Sequence, residues 1–404
     1  MMKSIELFAG VGGLAMGCEL AGFTPAAVIE WNKWACETIR ENQERAYPLV
    51  QHWPLHEGDV RDFDWNTLTE SIDLVAGGPP CQPFSLGGKH RAHGDRRDMF
   101  PAAVDFVRRL RPRAFLFENV KGLTRSSFAN YFQYILLQLE FPEVVTRANE
   151  DWEDHLRRLQ AEKSSGLRRR AGLIYNVVPT LVNAADYGVP QRRERVFIVG
   201  FRADLGVEWS FPRPTHSLDA LLHEQWVTGD YWRGHGLPQP PVPEKLASRV
   251  RALEQSLLPS AERPWRTVRD VLADLPDPTL AEGATIPDHR FQGGAKTYPG
   301  HTGSPLDLPA KTLKAGDHGV PGGENMMVRD NGTVRYFTAR ESARLQTFPD
   351  GYKLHGTWTE AMRQIGNAVP VMLVRHVAAS VARRLIENEA RQLARLTEAR
   401  RASA

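Results

Sequence analysis

The sequence has few cysteines, no internal repeat and no long apolar run. Cys18, Cys36 and Cys81 are its only cysteines in 404 residues, and no two of them form a Cys-x-x-Cys pair. This odd, scattered set argues against a disulfide framework and a structural zinc site. No apolar run approaches the roughly 18 residues of a membrane-spanning helix, and the N-terminus lacks a signal-peptide pattern. We therefore expect a cytoplasmic protein with no membrane partner and no bound metal.

The sequence also has almost no excess of charge of one sign, since its formal net charge is only +3. The basic residues are nevertheless clustered, at residues 89–97, 157–170 and 192–195. Clusters of this kind suit a polyanion such as a nucleic acid. For any one cluster taken alone, a solvated face is the commoner explanation.

The first 210 residues alternate short apolar runs with helical patterns. The runs occupy residues 5–8, 26–29, 72–76, 114–117, 177–182 and 196–201. This alternation predicts an α/β domain with an open, mostly parallel sheet, whose ligands bind at the carboxyl ends of the strands.

The rest of the chain has a different character. Residues 211–336 are rich in proline and glycine, which predicts a smaller, loop-rich domain. Loops carried on a scaffold are where recognition residues commonly lie. Helical patterns return at residues 337–390, which we expect to pack on the first domain, and residues 391–404 form a charged tail. A charged segment at residues 143–170 has the pattern of an insertion.

A glycine-rich turn follows the first apolar run, in ELFAGVGGLAMG. Gly10, Gly12 and Ala15 satisfy the pattern G-x-G-x-x-A, and Glu30 lies 20 residues after Gly10 at the end of the next run. A carboxylate there suits ribose hydroxyls, so we expect a nucleoside cofactor. The spacing does not separate a nicotinamide dinucleotide from S-adenosylmethionine. A tight structural turn is the alternative. Asp59, in EGDV, suits either an adenine amino group or a turn cap.

Three further positions carry reactive or charged groups. Cys81 stands among prolines in GGPPCQPFS, directly after an apolar run, so its thiol is a candidate nucleophile. Cys18 and Cys36 fit buried positions on helices. Glu118, in AFLFENV, should share the crevice, where burial would raise its pKa toward the range useful for proton donation. Arg193 and Arg195 are two residues apart and suit a phosphate or a carbonyl oxygen of a base, with a surface ion pair as the alternative.

Six motifs, in this order, are FAGVGG, PPCQPFS, ENV, NAADYGVPQRRER, RESARLQTFPD and QIGNAVP. Together they resemble the cytosine carbon-5 DNA methyltransferases. The resemblance implies a Rossmann-like domain that uses S-adenosylmethionine, plus a target recognition domain that binds duplex DNA. It also implies that the target cytosine swings out of the duplex, because its ring is otherwise inaccessible.

The resemblance implies roles for individual residues. Cys81 would attack carbon 6 of cytosine, Glu118 would protonate ring nitrogen 3, and Arg195 would bind the carbonyl oxygen with Arg193 beside it. The implied cofactor-binding residues are Phe8, Gly10, Gly12, Glu30, Trp31, Asp59, Val60, Pro80, Asn367 and Val369. The candidate DNA-binding residues are Gln82, Ser85, Lys89, Arg96, Arg97, Thr312, Leu313 and Lys314.

Several alternatives stay open at this point. The enzyme would be the modification half of a restriction system, with a separately acting endonuclease, or an orphan relative, and we expect a monomer. Some relatives methylate transfer RNA. A DNA-binding regulator on a decayed fold would have lost the cysteine, the glutamate or the glycines, all of which are present. A nicotinamide-dependent oxidoreductase leaves the Pro-Cys turn unexplained. The inserted segment suits a solvated helix or an added phosphate-binding surface.

Overall fold

The computed structural model describes residues 1–80, 98–165, 172–256, 261–315 and 325–402. The chain forms two compact units. The first contains Met1–Val182, Glu194–Pro212 and Val374–Ala404, and the second contains Asn183–Arg193 and Arg213–Leu373. Residues 213–336 of the predicted recognition domain belong to the second unit. That unit also includes residues 337–373, which we expected to belong with the first domain.

A seven-stranded sheet organises the first unit. Its strands in chain order are β1 (Met2–Leu7), β2 (Phe23–Glu30), β3 (Leu55–Glu57), β4 (Leu74–Gly77), β5 (Ala114–Val120), β6 (Tyr175–Asn183) and β7 (Glu194–Arg202). The spatial order is β3-β2-β1-β4-β5-β7-β6. The pairs β3–β2, β2–β1, β1–β4 and β4–β5 are parallel, whereas β7 runs antiparallel to β5. All six predicted apolar runs overlap strands of this sheet, so the predicted α/β fold with a mostly parallel sheet is confirmed.

Helices cover this sheet and supply its apolar core. They are α1 (Gly13–Leu20), α2 (Lys33–Glu44), α3 (Phe100–Leu110), α4 (Ala129–Glu140), α5 (Trp152–Ser165) and the long α12 (Val371–Ala402), whose first residues belong to the second unit. In α3, the buried residues Ala103, Phe106 and Val107 recur at helical spacing and form one apolar face. Phe115 and Phe117 of β5 are also fully buried. Each such large side chain contributes roughly 1.5–3 kcal/mol on burial.

The second unit is built from short elements. Its strands are β8 (His216–Ser217), β9 (Arg263–Pro264), β10 (Ser304–Pro305), β11 (Met326–Val328) and β12 (Val334–Tyr336). Its helices are α6 (Leu218–Leu222), α7 (Asp230–Gly234), α8 (Ala247–Glu254), α9 (Val268–Leu272), α10 (Ala339–Leu345) and α11 (Trp358–Asn367). Capping boxes at Thr267 and Thr338 start α9 and α10 by satisfying free backbone N–H groups. Loops connect most of these elements, as the composition predicts.

One helical segment, Trp358–Arg401, is long and apolar enough in composition to cross a membrane. Its most apolar window has a mean hydropathy of 1.4, and 72% of that window is buried inside the protein. Core helices of soluble proteins pass the same test, so this segment is weak evidence for a membrane span.

Candidate active site

One edge of the seven-stranded sheet collects most of the predicted site residues of the first unit. Strands β1, β4 and β5 are parallel and end at this edge, and β7 begins there because it runs antiparallel to β5. The strand order also reverses between β1 and β4. In open α/β sheets a crevice forms at such a reversal, outside the carboxyl ends of the strands. The predicted site residues of the first unit therefore lie where an open α/β sheet forms a crevice for a ligand.

The glycine turn lies directly after β1. Phe8, Gly10 and Gly12 all have positive φ angles, of 57°, 54° and 81°. The Gly12 N–H donates to the carbonyl oxygen of Ala9 at 2.9 Å, and α1 starts at the next residue. A Cβ at position 12 would lie 2.6 Å from the Trp53 ring. Because both the φ angle and the space exclude a side chain, this turn requires glycine at position 12.

Glu30 connects the end of β2 to the glycine turn. One oxygen, Oε2, accepts the Gly10 N–H at 2.7 Å, and Oε1 accepts the N–H groups of Trp31 and Asn32 at 3.0 and 2.7 Å. These bonds hold the carboxylate at the end of β2 beside the glycine turn, and its contact with a ribose hydroxyl stays a prediction. Beside it, Trp31 is 68% exposed.

Asp59 and Val60 follow β3. An Asp59 oxygen accepts the Arg61 N–H at 2.9 Å and begins a short 3-10 helix, and the same carboxylate pairs with the Arg61 guanidinium. The alternative role of Asp59 as a turn cap is thus what the structure shows, and a contact with adenine stays a prediction. Val60 is 4% exposed and belongs to the core.

The described chain stops at Pro80 and resumes at Asp98. The predicted nucleophile Cys81 and the predicted DNA contacts Gln82, Ser85, Lys89, Arg96 and Arg97 therefore lie outside the described residues. The turn before them is firmly held, because the Asn119 side-chain amide donates to the carbonyl oxygen of Pro79 at 2.9 Å. The Met99 N–H donates to the carbonyl oxygen of Pro80 at 3.2 Å.

Glu118 and Arg195 form a buried ion pair at this edge. The Arg195 Nε lies 2.8 Å from the Glu118 Oε1, and the side chains are 13% and 10% exposed. Burial lowers the pKa of Arg195, although the Glu118 charge opposes that shift, and an arginine keeps its charge in proteins. A Cβ at Gly78 would lie 3.5 Å from the Glu118 Oε2. The pair therefore adjoins the turn that leads to Cys81.

Arg193 differs from the prediction that it lies beside the base. Its guanidinium is buried in the second unit, where it donates to the carbonyl oxygens of Leu313, Gly366 and Ala368 at 3.0, 2.8 and 2.9 Å. The residue is 1% exposed. Because these carbonyls occupy its donors, we assign Arg193 a structural role and remove it from the residues proposed to contact cytosine.

The predicted DNA contacts of the second unit have three different environments. The Thr312 hydroxyl donates to the carbonyl oxygen of Arg192 at 2.7 Å, and the Lys314 side chain is exposed. Leu313 is only 1% exposed, so its predicted contact with DNA is corrected to a core position. Asn367 is exposed and Val369 is 7% exposed; both belong to the second unit, and their part in a cofactor pocket stays a prediction.

Two glutamines of the second unit also bind backbone groups, and no role was expected for either from the sequence. Gln191 accepts the Leu313 N–H at 3.0 Å and donates to the carbonyl oxygen of Leu345 at 3.3 Å. Gln346 donates to the carbonyl oxygen of Ile365 at 2.7 Å. The two glutamines stand inside the motifs QRRER and RLQTFPD, which was the available signal.

The inserted helix α5 carries three described basic side chains besides His155, and all three form ion pairs. Arg157 pairs with Asp154, Arg158 with Glu150 and Lys163 with Glu140. Within residues 152–165, this local neutralisation disfavours the phosphate-binding alternative. No group of three His, Cys, Asp or Glu residues that could hold a metal ion occurs in the described ranges.

The fold, the glycine turn and the carboxylate at the end of β2 define an α/β enzyme of the nucleoside-cofactor-binding class. Comparison with known proteins gives the family. The sequence profile of the C-5 cytosine-specific DNA methylases matches residues 2–142 and 167–383. The chain belongs to this family and is a DNA cytosine-5-methyltransferase.

Individual relatives agree with this assignment. The type II methyltransferase M.PspPI of Psychrobacter is 31% identical over 387 residues, which cover 94% of this chain and 79% of that protein. The type II methyltransferase M.NgoFVII of Neisseria gonorrhoeae is 30% identical over 384 residues, which cover 94% and 86%. The structure of the S. pombe Dnmt2 methyltransferase has a TM-score of 0.53 and 17% identity, with 96% of this chain and 99% of that chain covered. At this identity the likeness shows the fold alone.

Proposed function

We propose that the enzyme transfers the methyl group of S-adenosylmethionine to carbon 5 of one cytosine in a short duplex DNA sequence. We propose further that the cytosine is swung out of the duplex and bound covalently by Cys81. The observation that carries this proposal is the buried Glu118–Arg195 pair beside the Gly78–Pro80 turn, directly before Cys81. A carboxylate and a guanidinium in this arrangement suit a ring nitrogen and a carbonyl oxygen of the same base.

The residues around the glycine turn fit S-adenosylmethionine. The Glu30 carboxylate lies at the end of β2 beside the glycine turn, where a carboxylate suits a ribose, and the exposed Trp31 ring offers an apolar face to an adenine. Apart from its chain neighbours, no described residue lies within 4 Å of the Cβ position of Gly10, so a ligand can approach the backbone of the turn closely there. When bound, S-adenosylmethionine supplies the sulfonium methyl group that carbon 5 accepts.

The covalent step is proposed as follows. The Cys81 thiolate forms a bond to carbon 6, and the displaced electron pair moves toward ring nitrogen 3. Glu118, which is charged in its pair with Arg195, takes up a proton from solvent when the base binds and gives that proton to ring nitrogen 3. Arg195 holds the carbonyl oxygen of the base and fixes Glu118 through their 2.8 Å contact. Carbon 5 then becomes nucleophilic and is methylated. Loss of the carbon-5 proton to a base and breakage of the sulfur–carbon bond restore the ring and release the thiolate.

The proposed cellular role is based on the relatives, which are named as type II methyltransferases. We propose that this enzyme is cytoplasmic and monomeric. It would be the modification component of a restriction system, acting separately from a cognate endonuclease, or an orphan methyltransferase.

Base-resolution mapping of 5-methylcytosine in a plasmid tests this function. The plasmid is recovered from a methylation-deficient bacterial host that expresses the protein, or its Cys81→Ala variant. We expect methylation of one cytosine in a recurring short sequence, and none with Cys81→Ala. An unmethylated plasmid from folded protein would refute the DNA assignment, and the same comparison would then be made with transfer RNA. Full methylation by Cys81→Ala would refute the covalent mechanism.

A matched pair of variants tests the ion pair. Glu118→Gln keeps the shape of the side chain but loses the proton-donating group, so we expect retained DNA binding and loss of most of the rate, on the order of 10²–10⁴-fold. Glu194→Gln, on the exposed neighbour of Arg195, is the control and should keep the wild-type rate. An unchanged rate with Glu118→Gln would exclude Glu118 from the chemistry.

A further inference from the structure

The family match omits residues 143–166 of the inserted segment. Its helix α5 packs against the rest of the first unit. His155, Leu156 and Leu159 of α5 are 1%, 8% and 0% exposed, and both leucines belong to the main apolar core of that unit. The insertion is therefore an integral part of the catalytic unit, and the expectation of a merely solvated helix is too simple.

His155 fixes the position of α5. Its Nε2 donates to the carbonyl oxygen of Val144 at 2.7 Å, because a carbonyl can only accept, and its Nδ1 accepts from the Tyr134 hydroxyl at 2.9 Å. Burial raises the pKa of Tyr134, so this phenol keeps its proton. Both ring nitrogens thus have buried partners, and α5 is locked onto α4.

Trp152, the first residue of α5, begins a series of contacts that ends at Asp98. Its ring meets the Tyr131 ring edge-on, with centroids 5.8 Å apart, and lies 5.8 Å from the Tyr134 ring. The Tyr131 hydroxyl donates in turn to the Asp98 Oδ2. The other oxygen of Asp98 accepts the Phe100 N–H at 3.2 Å at the start of α3. A continuous set of contacts therefore runs from α5 through Tyr131 to Asp98.

Asp98 stands where the chain returns from Cys81. The next residue, Met99, donates its N–H to the carbonyl oxygen of Pro80, the residue directly before Cys81. The start and the return of residues 81–97 are thus tied to each other. Whatever fixes Asp98 and Met99 therefore also holds Pro80, the residue directly before Cys81.

We propose that the inserted helix α5 positions the catalytic cysteine, with Trp152, Tyr131 and Asp98 as the positioning residues that act through the Met99–Pro80 hydrogen bond. This proposal rests on the proposed function, because it requires Cys81 to be the nucleophile. It gives a role to a segment that the family match omits. None of the three positioning residues touches the substrate in this mechanism, so their effect falls on the geometry of the attack.

The expected effect follows from the sensitivity of covalent catalysis to geometry, since a misplacement of about 1 Å can reduce a rate on the order of 10²-fold. Tyr131→Phe removes one hydroxyl and keeps the ring that packs on Trp152. We expect this variant to lose about tenfold in the rate of adduct formation, while its dissociation constants for S-adenosylmethionine and DNA change less than twofold.

The experiment measures covalent adduct formation with duplex DNA that contains 5-fluorocytosine at the target position. In this probe the fluorine replaces the carbon-5 proton, so the final elimination is blocked and the enzyme stays attached. The rate of adduct formation, kcat and KM on normal DNA, and Tm are measured for the wild type and each variant. A positioning role lowers the adduct rate and kcat and leaves KM nearly unchanged.

Tyr175→Phe is the matched control. It removes a buried hydroxyl from β6 of the same unit, but that hydroxyl donates to the carbonyl oxygen of Pro112 and contacts neither α5 nor Asp98. We expect Tm to fall by a similar amount in both variants and the adduct rate to fall only in Tyr131→Phe. Asp98→Asn should also lower the rate, and Tyr131→Phe combined with Asp98→Asn should be no slower than the slower single variant, because both act through one hydrogen bond.

Each outcome decides between distinct conclusions. A wild-type adduct rate in Tyr131→Phe would overturn the positioning role. Equal losses in Tyr131→Phe and Tyr175→Phe would overturn it as well, because general destabilisation would then account for the effect. If the wild-type protein itself forms no adduct with DNA and methylates no cytosine, the proposed function fails and this inference fails with it.

Discussion

Arg193 and Arg195 are two residues apart, and their surroundings are entirely different. Arg195 belongs to the first unit and pairs with one carboxylate, whereas Arg193 belongs to the second unit and binds three backbone carbonyls. One arrangement leaves a pair of charged groups beside a crevice. The other joins the segment around Leu313 to the end of α11. The same side chain is thus structural where its partners are carbonyl oxygens, and it is the arginine that pairs with a carboxylate for which we propose a contact with the base.

The two units differ in the same way on a larger scale. The first is stabilised by an apolar core on both faces of a sheet, in which residues such as Phe115, Phe117 and Ile198 are fully buried. The second has short strands and helices and uses buried arginines in addition. Arg340, 1% exposed, donates to the carbonyl oxygens of Pro349 and Tyr352. Polar networks of this kind stabilise only when every member is satisfied, so the second unit should be the less tolerant of substitution.

The largest expected effect is that of Arg193→Met. The variant leaves the three carbonyl oxygens of Leu313, Gly366 and Ala368 with fewer donors, at about 1–3 kcal/mol for each group left unsatisfied. We expect the second unit to lose at least about 3 kcal/mol of its free energy of unfolding, measured by urea unfolding fitted with separate transitions. Arg192→Met, at an exposed neighbouring position, is the control and should change stability by less than about 0.5 kcal/mol. A stable Arg193→Met protein would refute the structural role.

A second prediction concerns a buried carboxyl group in the first unit. Glu6 of β1 is 1% exposed, and burial raises its pKa from 4.5 to about 7, an effect that the Cys18 thiol and the Ser4 hydroxyl oppose only in part. The folded protein therefore holds this proton more tightly than the unfolded chain. The contribution to stability is complete below pH 4.5 and is lost as the pH rises through 7, by about 3 kcal/mol in total.

Unfolding free energies measured from pH 5 to pH 8 test this prediction with Glu6→Gln as the reference. The wild type should lose stability across that range relative to the variant, which carries no titrating group at position 6. Parallel pH profiles of the two proteins would contradict the buried protonated carboxyl.

The sequence predicted the first unit well because its signals are local. Apolar runs, glycines at a turn and polar residues at strand ends follow from the alternation of strands and helices, so Glu30 and Glu118 were expected at one edge of the sheet. The opposite holds for Arg193, whose partners Leu313 and Gly366 lie 120 and 173 residues away. No periodicity encodes such a contact. Gly366 illustrates the same limit, because a Cβ there would lie 2.4 Å from the Ala315 nitrogen, a clash that only the folded chain reveals.

A smaller effect is expected from an apolar truncation in the sheet. Ile198 of β7 is fully buried and stands opposite Phe117 of β5. Ile198→Val removes one methylene, and we expect a loss of about 0.5–1.5 kcal/mol in thermal or urea unfolding. This loss of stability should be well below that of Arg193→Met, so the two variants together test whether the second unit is the less tolerant of substitution. A larger loss here than in Arg193→Met would mean that the first unit is the more sensitive of the two.

The smallest effect is expected for an exposed ion pair of the first unit. The Lys121 Nζ contacts both carboxylate oxygens of Glu194 at 2.9 and 2.8 Å, but the two side chains are 55% and 48% exposed. Water and salt screen such pairs, so Lys121→Met should change the free energy of unfolding by less than about 1 kcal/mol, and by still less in 1 M salt. Glu194 lies between Arg193 and Arg195 in the sequence. Lys121→Met therefore tests an exposed charge pair, and Arg193→Met tests a buried arginine, in the same stretch of the chain. A loss as large as that of Arg193→Met would show that charge pairing, and not the burial of its partners, sets the stability around these arginines.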